Sequence, residues 1–316
     1  MTNASDMPAP TGRSDLMEGK VVLVTGAGRG IGKAIALAMA DHGARVVVND
    51  LGAALGGDGH DTAIAQQTAA QIVARGGEAV ASTDSVADWQ GASNMVACAL
   101  DSFGRIDCVV NNAAILRDSI FHKMSPDDWD QSIAVILSGS FYVSRAAAPH
   151  FRDRNSGSYV HVSSTSGLIG GMGQANYGAA KLGLQGLSKA IAIDMARFNV
   201  RSNIVAPTAF TRMTESIPVA TPEQKARAAN RKTIAPERNA PVIVFLASDL
   251  AHDVSGQIFY TRDNELYLFS QPRPVRSAHT AQGWTPQTIA EHVLPAFRQS
   301  FVPLERTRDV FQSYLP

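Results

Sequence analysis

Ser164, Tyr177 and Lys181 follow one another as Ser-x12-Tyr-x3-Lys, a trio able to move a proton to or from a substrate oxygen. Tyrosine by itself is a poor base: with a pKa of about 10, about one molecule in a thousand is phenolate at pH 7. Bringing it near neutrality takes about 4 kcal/mol of differential stabilisation. Lys181 stands at i+4 from Tyr177, one helical turn along on the same face, so its ammonium can supply part of that energy. Ser164 closes an apolar β-branched run, where its hydroxyl can donate to a developing alkoxide and hold a carbonyl oxygen. A Tyr-x3-Lys pair in isolation would read as a surface pair on a helix.

The second half of the chemistry lies about 140 residues upstream, in Thr25-Gly26-Ala27-Gly28-Arg29-Gly30-Ile31-Gly32. Glycines at 26, 30 and 32 let the backbone turn tightly, approach phosphate, and aim helix N–H groups at an anion. Arg29 and Ile31 sit inside that turn. Asp50 closes Val46-Val47-Val48-Asn49-Asp50, where a carboxylate at a strand end can accept both adenosine ribose hydroxyls. A 2′-phosphate about 4 Å from that carboxylate would meet on the order of 4 kcal/mol of repulsion at an effective dielectric of 20. Arg29 pulls the other way, since a guanidinium binds phosphate. Because Asp50 faces the ribose directly, the expected cofactor is NAD rather than NADP. A dinucleotide turn and a proton-moving trio in one chain point to a hydride-transferring enzyme.

The elements that position these residues alternate along the chain. Apolar strand-like runs at 20–25, 45–49, 78–83, 106–111, 158–163, 201–206 and 257–261 are separated by helical stretches, among them 61–75, 89–103, 126–151, 177–198 and 240–247. The expected fold class is α/β: a single-domain, Rossmann-type, doubly wound parallel sheet of seven strands, covered by helices on both faces, with a C-terminal extension. Such sheets bind ligands beyond the carboxyl ends of the strands, where each motif falls. Residues 1–17 read as a flexible tail, 18–261 as the Rossmann domain, and 262–316 as an extension packed on the same domain, with a helix near 285–300.

Composition limits the rest. The 316 residues are 45% hydrophobic and 18% charged, and 28 Lys+Arg balance 28 Asp+Glu. No global field favours nucleic acid or an anionic membrane. No apolar run approaches a membrane span, and the first residues carry no signal-peptide core. The last residues are not a peroxisomal address, so cytoplasm is the expected location. Cys98 and Cys108 read as free thiols without ligand-like neighbours, and no metal site is expected.

From about residue 20 to 257 the chain resembles the short-chain dehydrogenase/reductase family. The glycine turn, Asn111-Asn112-Ala113-Ala114, Ser164/Tyr177/Lys181 and Pro207-Thr208 all fall in the family's order. By that resemblance Asp84 contacts the adenine amino group with Ser85 and Val86 beside it, and Asn112 lies against the cofactor ribose. Lys181 also binds the nicotinamide ribose, Tyr177 works beside it, and Pro207 to Thr211 meet the carboxamide. Three positions depart from the pattern. Ala114 replaces the last glycine of Asn-Asn-Ala-Gly, and Thr208 replaces the glycine after Pro207. Ile136 replaces a mid-helix asparagine that supports a water chain to the lysine in many relatives.

Within the family, Asn49-Asp50-Leu51-Gly52 with its glycine-rich insertion through Gly59, Ile115-Leu116-Arg117-Asp118 and Gly173-Gln174-Ala175-Asn176-Tyr177 are similar to the dehydrogenase unit of peroxisomal multifunctional enzymes of type 2. That resemblance implies oxidation of (3R)-3-hydroxyacyl-CoA with NAD, and it extends to units that also lack the asparagine. A hydroxysteroid, a 3-oxoacyl substrate and a non-catalytic NAD sensor remain alternatives. Phe259, Tyr260, Tyr267 and Phe269 line an apolar pocket or belong to the core. Arg262, Arg273 and Arg276 meet CoA phosphates or are ordinary exposed arginines. The apolar helices 130–151 and 177–198 pair between subunits in related proteins, implying a homodimer or homotetramer. The expected partner is therefore a small molecule, acyl-CoA or steroid-like.

Overall fold

The computed structural model describes residues 15–211 and 234–311. Val21–Thr25 (β1) is buried along its whole length, and Arg45–Asn49 (β2) nearly so, as strands covered on both faces must be. Glu78–Ser82 (β3), Cys108–Asn111 (β4), Gly157–Val162 (β5), Val200–Thr208 (β6) and Ile258–Arg262 (β7) complete a parallel set in the order β3-β2-β1-β4-β5-β6-β7. Side chains alternate between two cores. Val22, Val24, Val46, Val48, Val110 and Val160 face one, with Ile35 and Met39 of Gly30–Asp41 (α1), Ile72 of Ala63–Ala74 (α2) and Ile243 of a later helix. Val21, Leu23, Val47, Val109 and Tyr159 face the other, with Met95 of Trp89–Phe103 (α3) and Val143 and Phe151 of a following helix.

The seven parallel strands match the sequence expectation, and an eighth is added to them. Glu265–Leu268 (β8) pairs antiparallel with β7, Tyr260 opposite Tyr267, after the tight turn Asp263-Asn264. Asp263 takes φ +51°, a left-handed conformation that Asp tolerates better than most side chains. The extension therefore begins as part of the sheet. At the other end, Leu16 and Met17 belong to the core although the expected tail ran to 17; Met17 N–H donates to His42 O at 2.8 Å.

The helix expected over 126–151 is three segments in one continuous rod. Pro126–Ser132 (α4) starts with a capping box on Ser125 and Asp128, Ile133–Ser138 widens into a π-helix, and Gly139–Arg154 (α5) ends where Asn155 adopts φ +56°. Thr165–Leu168 (α6) is a single turn after β5, Ala175–Asp194 (α7) is the long helix carrying Tyr177, and Ala240–Ala247 (α8) is apolar throughout. In the extension, helix occupies Pro286–Thr288 (α9) and Leu294–Arg298 (α10) with π-geometry at Ile289–Val293 between them, and Thr307–Val310 (α11) follows. Pro295 lacks the N–H that a regular helix there would use. No helix among the described residues is long and apolar enough to cross a membrane.

His161 lies fully buried in β5, its Nδ1 3.2 Å from the Asn111 amide nitrogen and its ring stacked on Tyr159. Burial, helped by Lys181, pushes its pKa down to about 3 from 6.5. The folded protein thus keeps His161 neutral while the unfolded chain protonates it, so this contribution is complete above pH 6.5 and is lost as pH falls toward 3. Denaturant titrations from pH 7 to 4 should show His161→Met with a shallower loss of stability than wild type. Equal slopes would refute the buried neutral imidazole.

Candidate active site

The strand order reverses between β1 and β4, which opens a crevice at their carboxyl ends. Asn112 stitches its two walls together. Its Nδ2 donates to Thr25 O and Gly26 O, each at 3.0 Å, and Thr25 Oγ1 accepts the N–H groups of Asn112 and Ala113 at 3.0 and 3.1 Å. Gly26 sits at φ +62° against this seam, and a Cβ on Gly32 would stand 2.1 Å from Gly26 O. Only glycine allows the first turn of α1 so close to β1. Arg29 is the exposed N-cap of α1 and supplies no side-chain cap, and Ile31 packs against the core behind the turn. A twelve-residue helix thus begins with its first N–H groups pointed at the crevice.

Asp50 is held rigidly at the rim. Its Oδ2 accepts from Gly28 N–H at 2.8 Å and its Oδ1 from Gly52 N–H at 2.7 Å. Gly28, which the sequence argument left out of the site, proves essential to this contact, because a Cβ there would meet Asp50 Oδ2 at 2.8 Å and Ile64 Cγ2 at 2.3 Å. Asp84 follows β3, its carboxylate anchored by Ser82 Oγ and Asn94 Nδ2, both at 2.9 Å; Ser85 Oγ accepts from Ala87 N–H. Pro207 stands opposite Thr261 in the β6–β7 ladder, and Thr211 is brought next to Gly30, 3.4 Å from where its Cβ would be.

The hydroxyl of Thr208, which replaces the family's glycine after Pro207, donates to Tyr260 Oη at 3.1 Å. Asn239 fixes the same strand end: it accepts from Thr208 N–H and Thr261 Oγ1, and it donates to Thr208 O and Pro236 O. Nothing local in the sequence marks Asn239, whose partners lie up to 31 residues away. A cradle that a Cβ would fill, a bare helix N-terminus and a fixed carboxylate beyond β2 together fit a dinucleotide.

Ser164 follows β5 and caps α6, its Oγ accepting from Ser166 N–H at 3.1 Å. Tyr177 and Lys181 share one face of α7, with Lys181 Nζ 5.7 Å from the Tyr177 ring centre. Lys181 is only 2% exposed; its Nζ donates to Val162 O at 2.6 Å, and its carbonyl accepts from Ser163 Oγ. Burial pushes the lysine down to about 7. Burial also pushes the Tyr177 phenol up to about 12, against the Ser164 hydroxyl, which favours the phenolate. At neutral pH the phenol is therefore held neutral, while the lysine sits near the midpoint of its titration.

Ile136, in the place of the family's asparagine, is wholly buried with Ala180 and Leu184, and Ala114 packs on the same cluster. Its carbonyl accepts from Ser140 Oγ at 2.6 Å within the π-helical turn. Tyr260 of β7 meets Tyr267, Phe269 and Phe311 in one ring cluster, whereas Phe259 packs against the core that holds Val22 and Val160. Arg262 is 5% exposed and lies 3.6 Å from Glu265, so it is not an ordinary surface arginine.

A family model described as short chain dehydrogenase matches residues 20–221. The chain belongs to the short-chain dehydrogenase family and is an oxidoreductase acting on CH–OH groups, in a family that uses NAD or NADP. It is 46% identical over 76% of its length to the peroxisomal multifunctional enzyme type 2 of Mus musculus, but spans only 31% of that protein. It is 37% identical to the hydroxyacyl-CoA dehydrogenase ChsB1 of Mycobacterium tuberculosis, over 92% of each chain. The crystal structure of a short chain dehydrogenase from Mycobacterium avium superimposes with a TM-score of 0.79 at 36% identity, covering 91% of this chain and 97% of that one.

The lysine's position carries a stability signature. Between pH 7 and 10.5 the unfolded chain binds a proton that the buried amine does not, so the ligand-free protein gains stability as pH rises through that window. Urea unfolding at pH 7, 8 and 9 should show wild type gaining on Lys181→Met by a few kcal/mol in order of magnitude. A constant difference across that range would mean the amine stays charged.

Proposed function

We propose that this enzyme oxidises a secondary alcohol with NAD, with Tyr177 as the acid/base, and that its substrate is a 3-hydroxyacyl-CoA thioester. The carboxylate of Asp50, held by two backbone N–H groups at the glycine turn, is the observation that carries the cofactor assignment. It offers acceptors to ribose hydroxyls and repels a 2′-phosphate. Gly26, Arg29, Gly30, Ile31 and Gly32 would hold the pyrophosphate; Asp84 and Ser85 the adenine; Asn112, Tyr177 and Lys181 the nicotinamide ribose; and Pro207 with Thr211 the carboxamide. NAD would supply the hydride acceptor. Ser164 donates a hydrogen bond to the substrate oxygen, and Tyr177 Oη takes the hydroxyl proton. The ammonium of Lys181 lowers the energy of the phenolate.

Support for the thioester comes from two named relatives, a hydroxyacyl-CoA dehydrogenase similar over 92% of the chain and a multifunctional enzyme type 2 that is 46% identical over 76% of it. Phe141 on α5, with Leu182 and Ile193 on α7, is 45–69% exposed, which favours pairing of these helices in a homodimer or homotetramer. Two unpaired cysteines suit a reducing compartment, the cytoplasm.

NADH appearance at 340 nm with NAD and (3R)- or (3S)-3-hydroxyacyl-CoAs should reveal fast turnover of the 3R thioester. Tyr177→Phe should lose orders of magnitude in kcat while still binding NAD. Equal turnover with NADP would overturn the cofactor assignment, and an unaffected Tyr177→Phe would overturn the mechanism.

A further inference from the structure

Between β2 and α2 the chain carries an insert, residues 51–61, that starts beside Asp50 and closes on the segment after β4. Leu116 N–H donates to Leu55 O at 3.0 Å, and Gly57 lies against Ile115. The guanidinium of Arg117 joins this insert to α4. Its Nε donates to Gly56 O at 2.8 Å and its Nη1 to Asp127 Oδ2 at 2.8 Å, with Asp58 at 3.6 Å and Asp128 at 3.7 Å. Only 20% of the side chain is exposed.

The carbonyl of the same residue faces α7. Asn176 is wholly buried; its Nδ2 lies 2.9 Å from each of Arg117 O, Asp128 O and Ser132 Oγ, which share its two hydrogens, while its Oδ1 accepts from Tyr177 N–H at 2.7 Å. Ser119 N–H to Gly173 O and Gln174 Nε2 to Asp118 Oδ2 run alongside. One arginine therefore touches the rim that carries Asp50 with its fork, and the turn that carries Tyr177 with its carbonyl.

We propose that Arg117 and Asn176 are positioning residues: Arg117 ties the cofactor-side insert to α4, and Asn176 uses that anchored segment to set the backbone of Tyr177. The proposal rests on Tyr177 being the acid/base. The two donors of Arg117 act in different directions, so they can be separated. Lysine can keep an ion pair with Asp127 but lacks the planar fork needed to reach Gly56 O as well.

The test measures kcat on the active alcohol, NAD affinity by fluorescence, and thermal unfolding for Arg117→Met, Arg117→Lys and Asn176→Asp. Arg117→Met should weaken NAD binding and lower kcat, each by about tenfold or more, as displacement of a reacting group does. Arg117→Lys should regain kcat without regaining NAD affinity. Asn176→Asp replaces donors by a carboxylate facing two carbonyls; it should lower kcat by about tenfold or more with NAD affinity unchanged. Constants that move together in all three variants, or do not move, overturn the proposal, and if Arg117→Met does not fold, Asn176→Asp decides by the same split. A wild-type protein inactive on every alcohol would instead count against Tyr177 as acid/base, while the NAD affinities of the arginine variants would still test the insert contact.

Discussion

The amide of Asn112 holds the carboxyl ends of two adjacent central strands together, and the site is arranged around that seam. By donating to Thr25 O and Gly26 O it closes β1 against β4 at the point where strand order reverses. The glycine turn is then forced through a gap too narrow for any Cβ at Gly32. Helix α1 starts where an anion is best received, and the strand ends carrying Asp50 and Ser164 converge on the same opening. The site is thus a consequence of how parallel strands with right-handed crossovers must leave a crevice.

Burial supplies the second constraint. The interior holds the Tyr177 phenol up near 12 and draws Lys181 down to about 7, so the ligand-free protein keeps the phenol neutral at neutral pH. A positive group entering the crevice would favour the phenolate. The apolar cluster of Ile136, Ala180 and Leu184 maintains this low-polarity setting beneath α7.

Local spacing made much of this legible. Tyr177 and Lys181 are four apart on a helix, glycine recurs at every second residue from 26 to 32, and Asp50 follows Val46-Val47-Val48-Asn49. Long-range partners were not legible. Asn176 and Asn239 act through residues 44 to 59 and 3 to 31 positions away, and a buried asparagine carries no pattern that announces its partners. β8 escaped detection because Glu265–Leu268 is too short and too exposed to stand out as a strand. The π-helical turn at Ile133–Ser138 shares the apolar period of the α-helix around it. Leu16 and Met17 end a polar stretch, and two apolar residues at its edge cannot be separated from it by composition.

The most direct test of the central claim, that a buried phenol becomes a base only when positive charge enters the crevice, is a phenolate-absorbance titration of Tyr177. Wild type would be compared with Tyr177→Phe, with and without NAD. The account requires the Tyr177 phenol to resist ionisation up to about pH 12 in the ligand-free protein and to ionise far lower, toward neutrality, with NAD bound. A phenol that titrates at the same pH in both states would contradict it.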